Sequence, residues 1–273
     1  MDDLKSSHVL AEVNNEFEKW LQRKYGEHGK VKAHCRKIHN YLGMIFNYQE
    51  KGKVKINMTS YIEDMLEEFP EDLKKTDMAR TPAAGDLFNE GQGEDLTMDC
   101  KEAFHRVVAK GLFVSKRARP DIHLTIATLC TQVKSPNESD WDKLVQLIKF
   151  LSGTRNKKLT LSADDLRIIK WFVDVAFAVH PDFKSHTGGN MTFGQGAVQS
   201  ISRKQKLNTR SSTESELVGT NDISTMILWT RLFMEAQGYK IKKNILYQDN
   251  KSTILLELNG KKSSGKRMRT LNV

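Results

Sequence analysis

Three acidic residues in the second half of the chain have the type and the setting for metal-dependent chemistry. Asp174 interrupts an apolar, β-branched run at residues 168–179, and Asp249 follows the apolar part of KNILYQDN. Glu216 lies near the start of a helical pattern. A carboxylate in an apolar setting is costly unless it is paired, protonated or bound to a cation. If the three acids meet at one end of a sheet, they need a cation to stay fully ionised.

Helical geometry distinguishes Glu216 from its neighbour Glu214. At about 100° per residue, Ile223 and Ile227 fall within about 20° of the line through Glu216, whereas Glu214 lies about 200° away. We therefore expect Glu216 to face the sheet and Glu214 to face solvent. The structural alternative for Glu216 is a capping box with Thr213, which has the right spacing.

Carboxylates gathered in this way indicate a hard divalent cation. Mg²⁺ and Mn²⁺ take carboxylate and water oxygens. Two such ions about 3.5–4 Å apart can activate a water and stabilise the leaving oxygen of a phosphodiester. Structural interpretations remain open for two of the acids: Asp174 in a buried ion pair or at a strand tip, and Asp249 as a turn or cap residue.

A basic stretch precedes the helix that carries Glu216. Its four cations are Arg203, Lys204, Lys206 and Arg210, and they could hold a phosphate backbone near the acids. A solvated charged face explains them equally well. The whole chain has 43 Lys and Arg against 34 Asp and Glu, a net charge of +9, which is compatible with a nucleic-acid partner.

The elements that must position these residues follow from hydrophobic periodicity. From about residue 161 onward the pattern predicts the order β-β-β-α-β-α-β, with a strand at residues 168–179 covered on both faces and a hairpin turning at residues 194–196. A meander followed by crossovers predicts an α/β layered sheet. Such sheets gather functional groups at the carboxyl ends of neighbouring strands.

The first part of the chain is predicted to mix strands and helices. We expect a helix at about residues 12–25, then two strands within IHNYLGMIFNYQEKGKVKINMT, and then a short helix that ends at Pro70. Residues 77–97 lack a period and predict a linker. Three helices follow, and Asn137 or Ser139 could cap the third.

Composition excludes several classes of protein. No apolar run approaches the roughly 18–20 residues of a membrane span, and the N-terminus lacks a signal-peptide profile. Cys35, Cys100 and Cys130 are far apart, which argues against a disulfide framework or a zinc site. We therefore expect a protein of the cytoplasm or nucleus that makes no membrane contact.

Several segments carry a resemblance to a known family. Three segments resemble ribonuclease H motifs of one family. The SSTEAEY-type motif is matched by SRKQKLNTRSSTESELVG and the CDNQSAI-type motif by LYQDNKSTI. The DADWAGD-type motif is matched by VDVAFAVHPDF. RPDIHLTIATL and IKFLSGTRN resemble its connection between polymerase and nuclease, and YLGM resembles a strand after its polymerase palm. The family is the pol polyprotein of copia-type retrotransposons, and the resemblance covers most of the chain.

The resemblance implies a ribonuclease H-like mixed five-stranded sheet with flanking helices. It implies that Asp174, Glu216 and Asp249 bind two Mg²⁺ ions (or Mn²⁺) and cleave the RNA strand of an RNA–DNA hybrid. The hybrid would be recognised through its backbone and 2′-hydroxyl groups. Asn272 stands where a fourth catalytic acid is usual in the family. An amide oxygen can still ligate a metal there, without the charge of a carboxylate.

The same resemblance suggests a division of the chain. MDDLKSSHV resembles the family's polymerase loop, with Asp2 and Asp3 at its catalytic pair, but the earlier palm aspartate and the fingers have no counterpart, so polymerase activity is expected to be lost. The expected parts are a truncated reverse transcriptase palm and thumb remnant at 1–78, a linker and helical connection at 79–160, and a C-terminally truncated ribonuclease H-like domain at 161–273.

Two other functions fit parts of the pattern. A degenerate remnant could bind nucleic acid through its basic surface without cutting it, and Asn272 motivates that alternative. A transposase or integrase of the same fold also uses three acids, but the Ser-Ser-Thr-x-x-Glu step before the helix argues against it.

Overall fold

The computed structural model describes residues 4–71 and 78–260 of the 273-residue chain. Asp2, Asp3, Asn272 and the last strand expected in RMRTLNV lie outside the described residues. Within them the helices are α1 (Ala11–Tyr25), α2 (Thr59–Glu67), α3 (Met98–Ser115), α4 (His123–Gln132), α5 (Glu138–Thr154), α6 (Ser212–Ala236) and α7 (Lys251–Asn259). The strands are β1 (Ile38–Tyr41), β2 (Met44–Asn47), β3 (Lys53–Asn57), β4 (Leu159–Ala163), β5 (Ile168–Ala176), β6 (His186–Thr192), β7 (Gly194–Gln195), β8 (Gln199–Lys204) and β9 (Lys243–Tyr247).

The first sheet is antiparallel and joins distant parts of the chain. Its order is β1-β2-β3-β4-β7. β4 pairs with β3: Leu159 lies opposite Ile56 at one end of the pairing, and Ser162 lies opposite Lys53 at the other. The expected boundary between residues 160 and 161 therefore falls inside a strand whose partner lies near the start of the chain. The domain boundaries stay a prediction.

A helical layer packs on this sheet and contains the larger core. Phe104 of α3, Ile126 of α4 and Leu147 of α5 have no exposed surface, and they belong to one cluster with Met44 of β2 and other residues of the first sheet. The three helices expected in this region are present. α5 begins at a capping box in which the Asn137 side chain accepts from the backbone N–H of Asp140, as predicted for Asn137.

The second sheet is mixed and carries the residues of functional interest. Its order is β8-β6-β5-β9; β5 runs antiparallel to β6 and parallel to β9. The α/β class is confirmed by this sheet and its flanking helices. Four strands lie within the described residues, and the expected fifth lies outside them. The finer ribonuclease H-like assignment stays a prediction.

β5 differs from the strand predicted at residues 168–179. The prediction of a strand covered on both faces is wrong for the described part of the chain, because burial alternates along β5. Trp171 and Val173 are buried beneath α6, while Phe172 and Asp174 are exposed on the opposite face. The apolar residues Phe172 and Ala176 made the run look continuous, although both lie on this open face.

The predicted hairpin at residues 194–196 contains an extra strand. Between β6 and β8 the chain leaves the mixed sheet as β7, which pairs with β4 of the first sheet. Gly196 has a φ of +76°, and a Cβ atom there would lie 2.2 Å from the carbonyl oxygen of Thr160. Only glycine fits both the conformation and the space, so this turn couples the two sheets.

α6 lies very close to the strand that carries Asp174. A Cβ atom at Gly219 would lie 2.5 Å from Val175 Cγ2, so the missing side chain permits a close approach of the helix to the sheet. Glu216, one turn earlier in α6, is thereby brought near β5. None of the helices in the described part of the chain is long and apolar enough to cross a bilayer.

We expect Gly219→Val to lower the free energy of unfolding by about 2 kcal/mol, because the added methyl groups push α6 away from Val175. Gly85→Val is the matched control, since no atom lies within 4 Å of the Cβ position at Gly85. Urea denaturation of both variants measures the difference. Equal losses of stability would contradict the tight helix–strand contact.

Candidate metal centre

Two of the three acids lie side by side because β5 and β9 run in parallel. Phe172 pairs with Tyr247 in the register of these strands. Asp174 and Asp249 each follow two residues later, and both are exposed. Adjacent parallel strands therefore present two carboxylates at the same end of the sheet, as the carboxyl ends of such strands commonly do.

Asp174 is exposed rather than in a buried ion pair, and Asp249 is not a helix cap, although Asp174 lies near the end of β5 and Asp249 in the connection after β9. Asp174 lies within β5 on its exposed face, and its Oδ1 accepts a hydrogen bond from the backbone N–H of Val175 at 3.0 Å. The cap of α7 is Asn250, whose side chain accepts from the backbone N–H of Thr253 at 3.0 Å. Asp249 precedes this cap, so its carboxylate is not the group that starts the helix.

The start of α6 corrects the prediction for Glu214. This side chain is buried rather than exposed, with 6% of its surface accessible. Ser211, not Thr213, is the N-cap: its side chain accepts from the backbone N–H of Glu214. The Glu214 carboxylate turns back and accepts from the backbone N–H of Arg210 at 2.7 Å. The helical-wheel angle fails here because a residue in the first turn folds over the helix end.

Glu216 is the acid that faces the sheet, as expected. It is buried to the same degree as Glu214, and its Oε2 accepts a hydrogen bond from Gln248 Nε2 at 3.1 Å. The backbone N–H of Val175 also donates to it. Because Gln248 immediately precedes Asp249, the same turn that presents one acid also orients another.

The three carboxylates form one compact group. One oxygen atom each of Asp174, Glu216 and Asp249 lies within 4.8 Å of the other two. In the described part of the chain this is the one group of three or more possible side-chain ligands at such spacing. The catalytic and metal-binding roles of these residues stay predictions, as does that of Asn272.

Electrostatics at Glu216 disfavour its charged form. Burial raises the pKa of Glu216 above its ordinary value; Gln248 lowers that pKa in part, and the neighbouring charge of Asp174 raises it again. A divalent cation among the carboxylates would reverse this balance by favouring the charged forms. The donor set therefore fits Mg²⁺ or Mn²⁺, which prefer oxygen ligands.

The four predicted phosphate-binding cations are all exposed, and two have protein partners. Arg203 Nη2 donates to the carbonyl oxygen of Asp222 at 2.6 Å, and Lys204 forms an ion pair with Asp182. Lys206 and Arg210 lie in the loop between β8 and α6. Their role in binding nucleic acid stays a prediction.

Two glutamines that position the centre were missed by sequence reasoning. Gln248 could have been suspected from its place beside Asp249. Gln205 carried no signal, yet it is almost fully buried. Its side-chain amide donates to the carbonyl oxygen of Ser215 at 2.8 Å and to Thr187 Oγ1 at 3.0 Å. It thus fixes the first turn of α6 to β6.

The two aspartates line a cleft of about 600 Å³ between the face of the mixed sheet opposite α6 and the start of α4. We call it the sheet cleft. Asp174 and Asp249 line one end, and His123 of α4 lines another part. Burial lowers the pKa of His123 to about 4, so the ring is uncharged near neutral pH. A substrate can reach the two aspartates from solvent through this cleft.

Comparison with known proteins finds similarity to plant transposon polyproteins. No family model matches the chain. It is 27% identical over 225 residues to the retrovirus-related Pol polyprotein from transposon TNT 1-94 of Nicotiana tabacum, covering 80% of the chain and 17% of that protein. Matches to the RE2 and RE1 Pol polyproteins of Arabidopsis thaliana are 25% and 26% identical over 134 residues, 48% of the chain and 9% of each relative.

The similarity confirms the resemblance to copia-type Pol polyproteins that the motifs suggested. The chain spans less than a fifth of the length of each of these relatives, as the 17% and 9% coverage shows. Their names describe whole polyproteins, so the activity of the matched region has to be argued from the site.

We expect Glu216→Gln to stabilise the metal-free protein slightly near neutral pH, by on the order of 2 °C in melting temperature. The raised pKa of Glu216 means that the folded state binds its proton more tightly than the unfolded state. Stability therefore falls as the pH rises through the interval between the two pKa values. The glutamine variant has no charge to bury at this position and does not lose stability in this way. Its gain in melting temperature over the wild type should therefore shrink as the pH falls and Glu216 of the wild type becomes protonated.

Thermal unfolding in EDTA and in Mg²⁺ measures both effects. Mg²⁺ should raise the melting temperature of the wild type by binding the folded state and should have little effect on the variant. A variant that is less stable than the wild type in EDTA at every pH would contradict the repulsion inferred at this site.

Proposed function

We propose that this relative of copia-type Pol polyproteins carries a divalent-metal centre that hydrolyses phosphodiester bonds, as ribonuclease H-type enzymes do. The substrate we propose is the RNA strand of an RNA–DNA hybrid. One observation carries the proposal: Asp174, Glu216 and Asp249 bring one oxygen atom each to within 4.8 Å of one another. Such a group is stable in its charged form only with a cation.

The three carboxylates would hold Mg²⁺ or Mn²⁺. Asp174 and Asp249 are exposed to the sheet cleft, which leaves room for water and a phosphate oxygen beside them. Glu216 would be the fixed member, since Gln248 and the backbone of Val175 already orient its carboxylate. Bound divalent ions supply an activated water and stabilise charge on the phosphodiester oxygens.

The protein's own groups have separate tasks in this proposal. Glu216 is held from behind, on α6, while the two aspartates approach from the strand ends, so ligands converge from two layers of the fold. Gln248 donates to Oε2 of Glu216 and so fixes the direction of its carboxylate. A site held in this way is preorganised, and preorganised ligands lose less conformational freedom when a metal binds.

The substrate class rests on the polyprotein relatives and on the charge of the chain. Pol polyproteins from transposons are the proteins to which the chain is similar. A net charge of +9 and the exposed Lys206 and Arg210 before α6 support contacts with a phosphate backbone. Proteins recognise duplexes that contain an RNA strand mainly by their shape and through contacts with 2′-hydroxyl and phosphate groups. We therefore expect little sequence preference.

For the first part of the chain we propose descent from a reverse transcriptase palm and connection. The antiparallel sheet β1-β2-β3 and the helices α3, α4 and α5 are compatible with that origin. In this proposal they contribute a rigid platform: β4 and β7 join the first sheet to the loop between β6 and β8, and α4 forms one wall of the sheet cleft.

We expect the full chain to cleave a labelled RNA–DNA hybrid in Mg²⁺ and Glu216→Gln to lose at least about a hundredfold in rate, because the amide removes one negative ligand of the metal. Glu214→Gln is the matched control. It changes a buried glutamate of the same helix that caps the chain rather than facing the other acids, so cleavage should persist. Gel analysis of the products measures the rates.

Equal loss of cleavage in both glutamine variants would contradict the assignment of Glu216. Salt-sensitive binding of the hybrid by the wild type with no Mg²⁺-dependent product would instead favour the remnant that binds nucleic acid without cutting it.

A further inference from the structure

An aromatic pair lies on the open face of the mixed sheet, next to the acids. The rings of Phe172 and Tyr247 stack with centroids 4.7 Å apart and an angle of 12° between their planes. Phe172 lies on the central strand β5 and Tyr247 on its parallel neighbour β9, yet 45% of Phe172 and 44% of Tyr247 remain exposed. Neither residue belongs to the cores beneath α6 or beneath the first sheet. The fold itself therefore does not account for these rings.

The pair is in register with the metal centre. Phe172 precedes Asp174 by two residues within β5, so these two side chains point to the same face. Asp249 follows Tyr247, the last residue of β9, by two residues, and all four side chains line the sheet cleft. Two residues along a strand span about 6–7 Å. A nucleotide whose phosphate lies at the aspartates would therefore bring its sugar or base close to the two rings.

Further groups along the same path match a nucleic-acid strand. Asn190 of β6 is paired with Phe172 across the sheet, is exposed, and offers an amide donor and acceptor within reach of a base edge. Lys170 lies two residues before Phe172 on the same face and near Tyr247. Its ion pair with Asp164 involves a carboxylate that is 69% exposed, and such surface pairs are weak enough for a phosphate to compete.

The sheet cleft gives this face the shape of a binding site. Phe172, Tyr247 and Asn190 line it together with the two aspartates. The opposite side is formed by Pro120, His123 and Leu124, which precede or begin α4. A planar group could enter between this wall and the rings. The cleft therefore continues directly from the acids to the aromatic pair.

We propose that Phe172 and Tyr247 form a stacking site for an unpaired nucleobase of the strand whose phosphate lies at the three acids. The inference rests on the proposed function, because it takes the acids to be the place where the phosphate binds. A paired base inside a helix has both faces covered by its neighbours, whereas an unpaired base can stack on an aromatic side chain. The site thus favours RNA that has an unpaired nucleotide beside the bond to be cut.

The experiment uses 2-aminopurine, a fluorescent base whose emission falls when it stacks. Two RNA–DNA hybrids carry it in the RNA strand, one in a short unpaired flank and one within the duplex. Each is titrated with the full chain in Ca²⁺, which also takes oxygen ligands, under conditions where a gel shows no product. The wild type should bind the flanked hybrid about tenfold more tightly than the fully paired one and quench its fluorescence, as expected for one base–aromatic stack.

The test variant is Phe172→Leu with Tyr247→Leu, which keeps apolar side chains but removes both rings. It should lose the tenfold preference and the quenching. The matched control replaces Trp229 and Phe233 by leucine: these exposed rings also stack, at 5.1 Å and 10°, but they lie on α6, on the other side of the sheet. That variant should behave like the wild type. Circular dichroism verifies that both variants remain folded.

The outcomes separate this inference from the proposed function. A wild type that cleaves hybrids but shows no preference for the unpaired flank, or a preference that survives loss of both rings, overturns the stacking site and leaves the nuclease proposal standing. A preference that depends on the rings in a protein that never cleaves supports the stacking site and defeats the nuclease proposal.

Discussion

Three carboxylates within 4.8 Å of one another repel each other, and the surrounding structure must hold them together against that repulsion. Two features do so. Parallel pairing of β5 with β9 sets Asp174 beside Asp249, and the close approach of α6 at Gly219 brings Glu216 to the same place. Hydrogen bonds from Gln248 and Val175 offset part of the cost of burying the glutamate. The centre is therefore a point of electrostatic strain that a divalent cation would relieve.

The rest of the chain supports this arrangement from behind and from the side. Gln205 ties the first turn of α6 to β6, and Thr253 Oγ1 of α7 donates to the carbonyl oxygen of Thr213. The segment between β6 and β8 connects the two sheets, because its strand β7 pairs with β4 of the first sheet. The close packing of Gly196 against Thr160 fixes this connection. Because the start of α4 lines the sheet cleft, the first part of the chain contributes to the shape of the site.

The acids could be predicted from the sequence because their settings are local. Asp174 and Asp249 interrupt or end apolar runs, and the helical period placed Glu216 toward the sheet. The solvent-facing position predicted for Glu214 was wrong because a helical wheel ignores the chain reversal at a helix start. β7 and the burial of Gln205 depend on contacts between distant segments, which no local pattern encodes. The alternation along β5 was hidden because apolar residues also occupy its open face.

A crystal grown with Mn²⁺ and measured near the manganese absorption edge tests the central claim most directly, since it locates the cation independently of any activity. The account predicts an anomalous difference peak bounded by oxygen atoms of Asp174, Glu216 and Asp249, at the roughly 2 Å distances typical of small oxygen-ligated divalent ions. A map without a peak there at saturating Mn²⁺, or carboxylates that stand apart from one another, would contradict it.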